Sequence, residues 1–484
     1  MRNLVLVVIL MMGLGSLQKG HGQEVIYSQY EKFDIRNGDY SVAGKVGDLL
    51  YVYRGGSDGY YLDAYNNNME RVATVVLDFI QGRVYETKFY TYADHMILLY
   101  QVLDGARLTQ YAVLLDEKAR LVKRPIALDN TKIGLFGGSK KTFNYAISDD
   151  KKKLVVYGVY GGGRNLEAKF IWMDDQLNIT GRNTASYTAE NDMEYGEGLL
   201  YNDGTLYLPA YTPVGSRNYA DQLWLLMLKQ DMRKFTPVEV ALNEQYAAGT
   251  YMKLDADKER IYVGGFYSDK KNGNYEGVLY TYYDIKTGGF QPTRLMPFDD
   301  RMRNATGGSS KKRAFNDHQV RQLIVKSDGG FLLISEDYFV TTRNSYSPGF
   351  GYYSFYYPTM GATVREYHYN DIMVLSYDPT GQMEWNTFIR KDQYSQEDGG
   401  MFSSYALINT GGAIGFLFND FNTSRSRVQL ATMDASGRTD IHSLAPGDGQ
   451  DADWLPRSAK QIAAREIIVP CLRKRQICFA KIVF

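Results

Sequence analysis

An all-β fold, a single β-propeller, is what three features of this 484-residue sequence predict. The composition holds 41 Tyr, 22 Phe and 47 Gly against 12 Pro, a mixture that favours many strands joined by tight glycine turns. A phrase recurs along the chain: a Gly- or Asp-containing turn, an apolar run, a polar loop, a second apolar run ending in Asp, a further turn and a third strand. Runs such as LLYVY, LVVYGVY and GAIGFLF are apolar on successive residues, the pattern of strands covered on both faces by neighbouring sheets.

Taken in order, residues 1–22 read as a secretory leader: Arg2 supplies the positive start, 4–14 is an apolar run, and Gly20 and Gly22 around His21 offer small residues before Gln23. The run is short for a membrane span, and no later segment reaches 18 uninterrupted apolar residues, so no transmembrane segment is expected in the mature chain of 23–484. Localisation is therefore expected to be extracytoplasmic, in the periplasm or at the cell surface, with association to the outer membrane open. Next comes a strand-like segment, 25–35. The first apolar runs then begin at Leu49, Met96, Leu154, Leu206, Ile261, Phe331, Ala413 and Ile467, eight units of about 58 residues, which fit four-stranded blades with long loops. Seven blades is the alternative count. The last unit ends at Phe484 without its outermost strand, so 25–35 is expected to complete it and close the ring. An outer-membrane barrel is disfavoured, since its strands alternate over about ten residues and these runs are short and continuous.

The segment Asp328-Gly329-Gly330-Phe331-Leu332-Leu333, then Asp371-Ile372-Met373-Val374-Leu375, then Asp378-Pro379-Thr380-Gly381 and Trp385, resembles the repeats of secreted bacterial β-propellers of the Bacteroidetes-like cell-envelope type. The resemblance implies that Asp-x-x-Gly is a hairpin turn and that the following Trp packs between blades. Asp434 to Gly437 and Asp284 to Gly288 keep the turn but lack the Trp, and the first three units match only faintly. What is implied is a fold and an envelope location, not an activity.

With strands numbered outward from the centre, the short turns lie on one face and the long insertions on the other: 212–221, 268–276, 299–317, 341–369 and 445–453. Long loops on a rigid scaffold commonly carry function. The insertion 341–369 holds nine aromatics among 29 residues. Tyr346, Tyr352, Tyr353, Tyr356, Tyr357 and Tyr367, with His368, are the expected contacts to a protein partner, because tyrosine offers a rigid ring and a hydroxyl at low entropic cost. A loop folded on its own small core is the competing reading. Arg301, Arg303, Lys311, Lys312 and Arg313 form a candidate anion contact, against a solvated loop bracketed by Asp299, Asp300 and Asp317.

The 55 Lys plus Arg balance the 55 Asp plus Glu, which argues against a nucleic-acid partner. Asp448, Asp451 and Asp453 do not match an EF-hand loop, and no zinc, nucleotide, haem or nucleophile-elbow motif is present, so neither metal nor cofactor is expected. His318 and His368 fall near the inserted face, where an acid or base role competes with packing. Cys471 and Cys478, the only cysteines, flank Arg473 to Gln476; a hairpin there sets them opposite one another, within disulfide reach if they share a non-hydrogen-bonded pair. The expected function is a non-catalytic binding or scaffolding module of a cell-envelope or outer-membrane protein assembly. The alternative is a glycan-binding or glycan-degrading propeller, hydrolase or lyase, with its site in the central funnel.

Overall fold

The computed structural model describes residues 23–35, 38–132, 143–215, 219–305, 315–344, 363–421, 427–444 and 452–484. They build a β-propeller of antiparallel, mostly four-stranded sheets whose strands follow one another in chain order. The first sheet comprises Asp39–Val46, Leu49–Gly56, Gly59–Tyr65 and Arg71–Val76. The second runs from Arg83–Thr91 to Ile126–Lys132, and the third from Phe143–Ile147 to Ile179–Thr188. Next is a ten-stranded sheet whose two halves join where Tyr219 and Ala220 pair with Ala248 and Ala247. The remaining three are centred on Phe331–Asn344, on Ile414–Asp420 and on Glu466–Arg473.

The first apolar run of each unit occupies a second strand, and its burial explains its composition. In His95–Asp104, Ile97, Leu98 and Leu99 are consecutive and wholly buried, because sheets cover both faces. Outer strands such as Arg71–Val76 are largely exposed. Each sheet shares an apolar core with the sheet before it and another with the sheet after it. The first sheet also packs on the last: Val42, Leu50, Val52 and Tyr65 meet Ile468, Leu472, Ile477 and Phe479. Glu24–Tyr27 lies antiparallel along the last strand, Glu24 opposite Val483 and Tyr27 opposite Ala480.

The Asp-x-x-Gly turns are hairpin turns held by the aspartate. Asp378 Oδ1 accepts from the N–H groups of Thr380 and Gln382 at 2.8 and 2.9 Å, and Asp434 repeats the arrangement with Ser436 and Arg438. The same turn occurs at Asn66, Asp116 and Asp174, where the fourth residue in left-handed backbone is Met69, Ala119 or Leu177 in place of glycine. Trp385 lies between sheets, so close to Gly437 that a Cβ there would sit 2.5 Å from its ring.

Three expectations need correction. Cys471 does face Cys478, but both are free, buried thiols. Arg473 pairs with Gln476 across a two-residue turn; alternation outward from that turn makes Cys471 and Cys478 a hydrogen-bonded pair, not the non-hydrogen-bonded pair on which the bridge was expected. Within 299–317, Asp300–Ala305 is a short helix, with Asp299 Oδ1 accepting from the Met302 N–H at 2.7 Å and Met302 buried. The described ends of 341–369 are strand, not loop. Among the described residues no helix is long and apolar enough to cross a membrane.

Candidate functional site

The strands Phe331–Asn344 and Thr363–Tyr377 do not stop where the sheet does. Their pairing runs on from Tyr338 opposite Tyr369 to Asn344 opposite Thr363. This two-stranded ribbon gains a third strand, Gln393–Gln396, along Thr363–Tyr377. A lone hairpin is marginal in water and a third strand stabilises it.

Residues two apart share a face of a strand, so the register generates rows across the ribbon. On one face Phe339, His368 and Tyr394 form an aromatic row, with Phe339 and His368 stacked at 4.4 Å and His368 5.2 Å from Tyr394. The adjacent row is a polar knot centred on Glu366, whose Oε1 accepts from Arg343 Nε (2.5 Å) and Tyr394 OH (2.6 Å), and whose Oε2 accepts from Thr341 Oγ1 (3.1 Å). Partial burial raises the Glu366 pKa, but the bonds from Tyr394, Arg343 and Thr341 outweigh it and hold the carboxyl below its usual range. Tyr394 and Val340 are exposed apolar surfaces here.

At the foot of the ribbon is a cleft of about 460 Å³ lined by Arg321, Tyr338, Tyr369, Ser404, Tyr405 and Arg457, among others. Its floor is an ion network. Glu336, wholly buried, meets Lys391 Nζ at 2.8 Å and Arg321 Nη2 at 3.0 Å, and accepts from Ser404 Oγ at 2.8 Å. Lys391 also donates to the Tyr369 carbonyl and Gln393 Oε1, both at 3.0 Å. Burial draws the Lys391 pKa below its ordinary value, against the opposing pull of Glu336. Arg457 donates to Tyr369 OH at 2.8 Å. The Tyr405 hydroxyl is buried with no hydrogen-bond partner among the described residues. Guanidinium groups flanked by phenol rings can receive a carboxylate or sulfate carried on a ring.

The expected partner contacts divide. Tyr346, Tyr352, Tyr353, Tyr356 and Tyr357 lie outside the described residues. Tyr367 and His368 are on the ribbon but, being adjacent, on opposite faces; Tyr367 sits opposite Val340. Of the candidate anion contacts, Arg301 is exposed on the short helix, whereas Arg303 is committed to Glu276 at 3.0 Å and packs over Phe298. Lys311, Lys312 and Arg313 lie outside the described residues, as do Asp448 and Asp451. His318 is interior, its Nδ1 3.1 Å from Ser335 Oγ, and burial lowers its pKa to about 3, so it is a neutral packing residue. Among the described residues no group of three or more His, Cys, Asp or Glu side chains is placed to hold a metal. Arg321, Lys391 and Arg457 escape a sequence reading because they come from separate segments. The signal that was present is Glu336 inside the apolar run FLLISEDYF, since a carboxylate buried there requires a cation.

No family profile and no curated protein matches the chain. Among solved structures it is similar to prolyl oligopeptidase B from Galerina marginata, at 13% identity over 90% of this chain and 55% of that one, with a TM-score of 0.41. It is also similar to the dihydro-heme d1 dehydrogenase NirN, at 11% identity over 92% and 70% with a TM-score of 0.38, and to the Dos1 propeller, at 9% over 69% and 90% with a TM-score of 0.32. The chain spans about half the length of the prolyl oligopeptidase it matches.

Proposed function

We propose that the chain is a non-catalytic, extracytoplasmic binding module that holds a protein partner of a cell-envelope assembly on its loop-rich face. The observation that carries this reading is the three-stranded ribbon, with an aromatic row fixed in place by the Glu366 knot. Rigid aromatic groups standing clear of a scaffold give contact area with little ordering cost on binding. The leader-like 1–22 and the resemblance to secreted propellers support the compartment. The scaffold belongs to the same proposal: each half of the ten-stranded sheet is a blade, which makes eight, and Glu24–Tyr27 closes the ring.

The test is cross-linking and affinity purification of the tagged chain from its native envelope. The controls are a chain lacking 345–362 and a Phe339→Ser, Tyr394→Ser variant. A stoichiometric envelope protein captured by the parent and lost from the double-serine variant, with circular dichroism unchanged, is the expected result. Equal capture by both variants would refute the ribbon as the contact surface. The cleft beside Arg321 and Arg457 favours a second reading, an acidic glycan as ligand. It predicts that uronate oligosaccharides bind the parent and not Arg457→Gln.

A further inference from the structure

The face that carries the short turns also holds a second cleft, of about 700 Å³. Four lysines line it, each from a different sheet or its turn: Lys45, Lys88, Lys151 and Lys460. Their few partners are uncharged. Lys460 Nζ donates to the Ala43 carbonyl at 2.8 Å, Lys151 Nζ to the Thr91 carbonyl at 3.3 Å, and Lys45 Nζ to Asn67 Oδ1 at 3.5 Å. Lys88 and Lys151 lie 5.9 and 6.0 Å from the ring centres of Tyr90 and Tyr92, which also line the cleft. Other lysines of this chain, Lys286, Lys326, Lys391 and Lys481, have carboxylate partners. Among the described residues none of these four does. The nearest acidic neighbour in sequence, Asp150, is committed to its own turn through Ser148 Oγ (2.6 Å) and the Lys152 N–H (3.1 Å).

A protein of zero net charge that gathers four unpaired ammonium groups around one cavity leaves a local excess of positive charge. The strain registers at Lys460, which burial and then the charges of Lys88 and Lys151 hold down to about 8. Ammonium groups are compact point donors suited to a multiply charged tetrahedral anion, where arginine would favour a planar fork. The cavity is larger than such an ion alone, and the rings of Tyr90 and Tyr92 give its wall an apolar surface for a small body such as a sugar. We infer that this cleft is a binding site for a phosphate or sulfate ester of a small polar molecule, with Lys45, Lys88, Lys151 and Lys460 receiving the anion and Tyr90 and Tyr92 the body that carries it. The site is on the face opposite the ribbon and stands whether or not a protein binds there.

Isothermal titration of the full chain at low salt, with inorganic phosphate, inorganic sulfate, glucose 6-phosphate, glucose 6-sulfate and glucose, tests it. At least one ester is expected to bind tighter than its inorganic ion, glucose not at all, and affinity to fall as salt rises. Lys460→Gln, and separately Lys88→Gln with Lys151→Gln, should each weaken the ester at least tenfold, while Lys270→Gln, outside the cleft, leaves it unchanged. No binding by the parent up to about 10 mM ester, or undiminished binding by the lysine variants, would overturn the site. Equal affinity for inorganic ion and ester would overturn the role given to the tyrosines.

Discussion

His318 is enclosed by Phe315 and Ser335, and burial places its pKa at about 3, well below the ordinary 6.5. The unfolded chain takes up this proton first as pH falls, so the stability the neutral ring contributes is complete above pH 6.5 and lost progressively towards pH 3. At pH 5 the loss is on the order of 2 kcal/mol. Urea denaturation at pH 7 and pH 5 should show His318→Gln losing less stability over that interval than the parent; equal losses would contradict the assignment. Glu336 and Lys391 pose the converse case, two charges buried together at 2.8 Å. Removing Lys391 leaves the buried Glu336 with Arg321 as its remaining counter-charge, so Lys391→Met is expected to cost about 1–3 kcal/mol. Glu336→Gln with Lys391→Met should recover much of that loss in the same denaturation measurement.

At the level of turns and strands, one hairpin device is built with two chemistries. Gly437 has φ +80° and Trp385 against it, so Gly437→Ala meets both a backbone penalty and a clash. A destabilisation of about 2–3 kcal/mol is expected in thermal or urea unfolding. Ala119→Gly, in the equivalent left-handed position, should be close to neutral, because about 1 kcal/mol of backbone relief offsets the roughly 0.8 kcal/mol of a buried methyl. This pair also explains what the letters disclosed. Second strands were legible from their unbroken apolar runs, because burial on both faces leaves no polar alternation to confuse them. The turns at Asn66, Asp116 and Asp174 were faint because the capping side chain, not the glycine, holds the turn, and Met69, Ala119 and Leu177 hide it. The ribbon read as a loop because its strand residues, Thr341, Arg343 and Glu366, are polar and satisfied by one another. The lysine cleft was illegible, since its four residues belong to sheets that meet only in the fold.

On the scale of the whole molecule, chain connectivity joins each sheet to the next but not the last sheet to the first. Apolar packing across that boundary is present, with Leu50, Val52 and Tyr65 against Ile468, Ile477 and Phe479. Two long side chains also bridge it, Lys460 to the Ala43 carbonyl at 2.8 Å and Lys481 to the Asn67 carbonyl at 3.2 Å. Glu24–Tyr27 then covers the outer edge of the last sheet, and Tyr27 packs edge-on against Trp454 at 6.1 Å. If this strand fastens the ring, a chain beginning at Phe33 keeps every sheet but leaves Gln476–Val483 as an open edge. Such an edge templates pairing with other chains. The truncated chain is therefore expected to unfold at a lower temperature and to self-associate at concentrations where the parent does not. Calorimetry and sedimentation read the two effects separately. A synthetic peptide of residues 23–32 should reverse both, because it restores the strand without restoring the connection. An unchanged unfolding temperature in the truncated chain would mean that the apolar boundary alone holds first and last sheets together, and that the terminal strand is a cover and not a fastening.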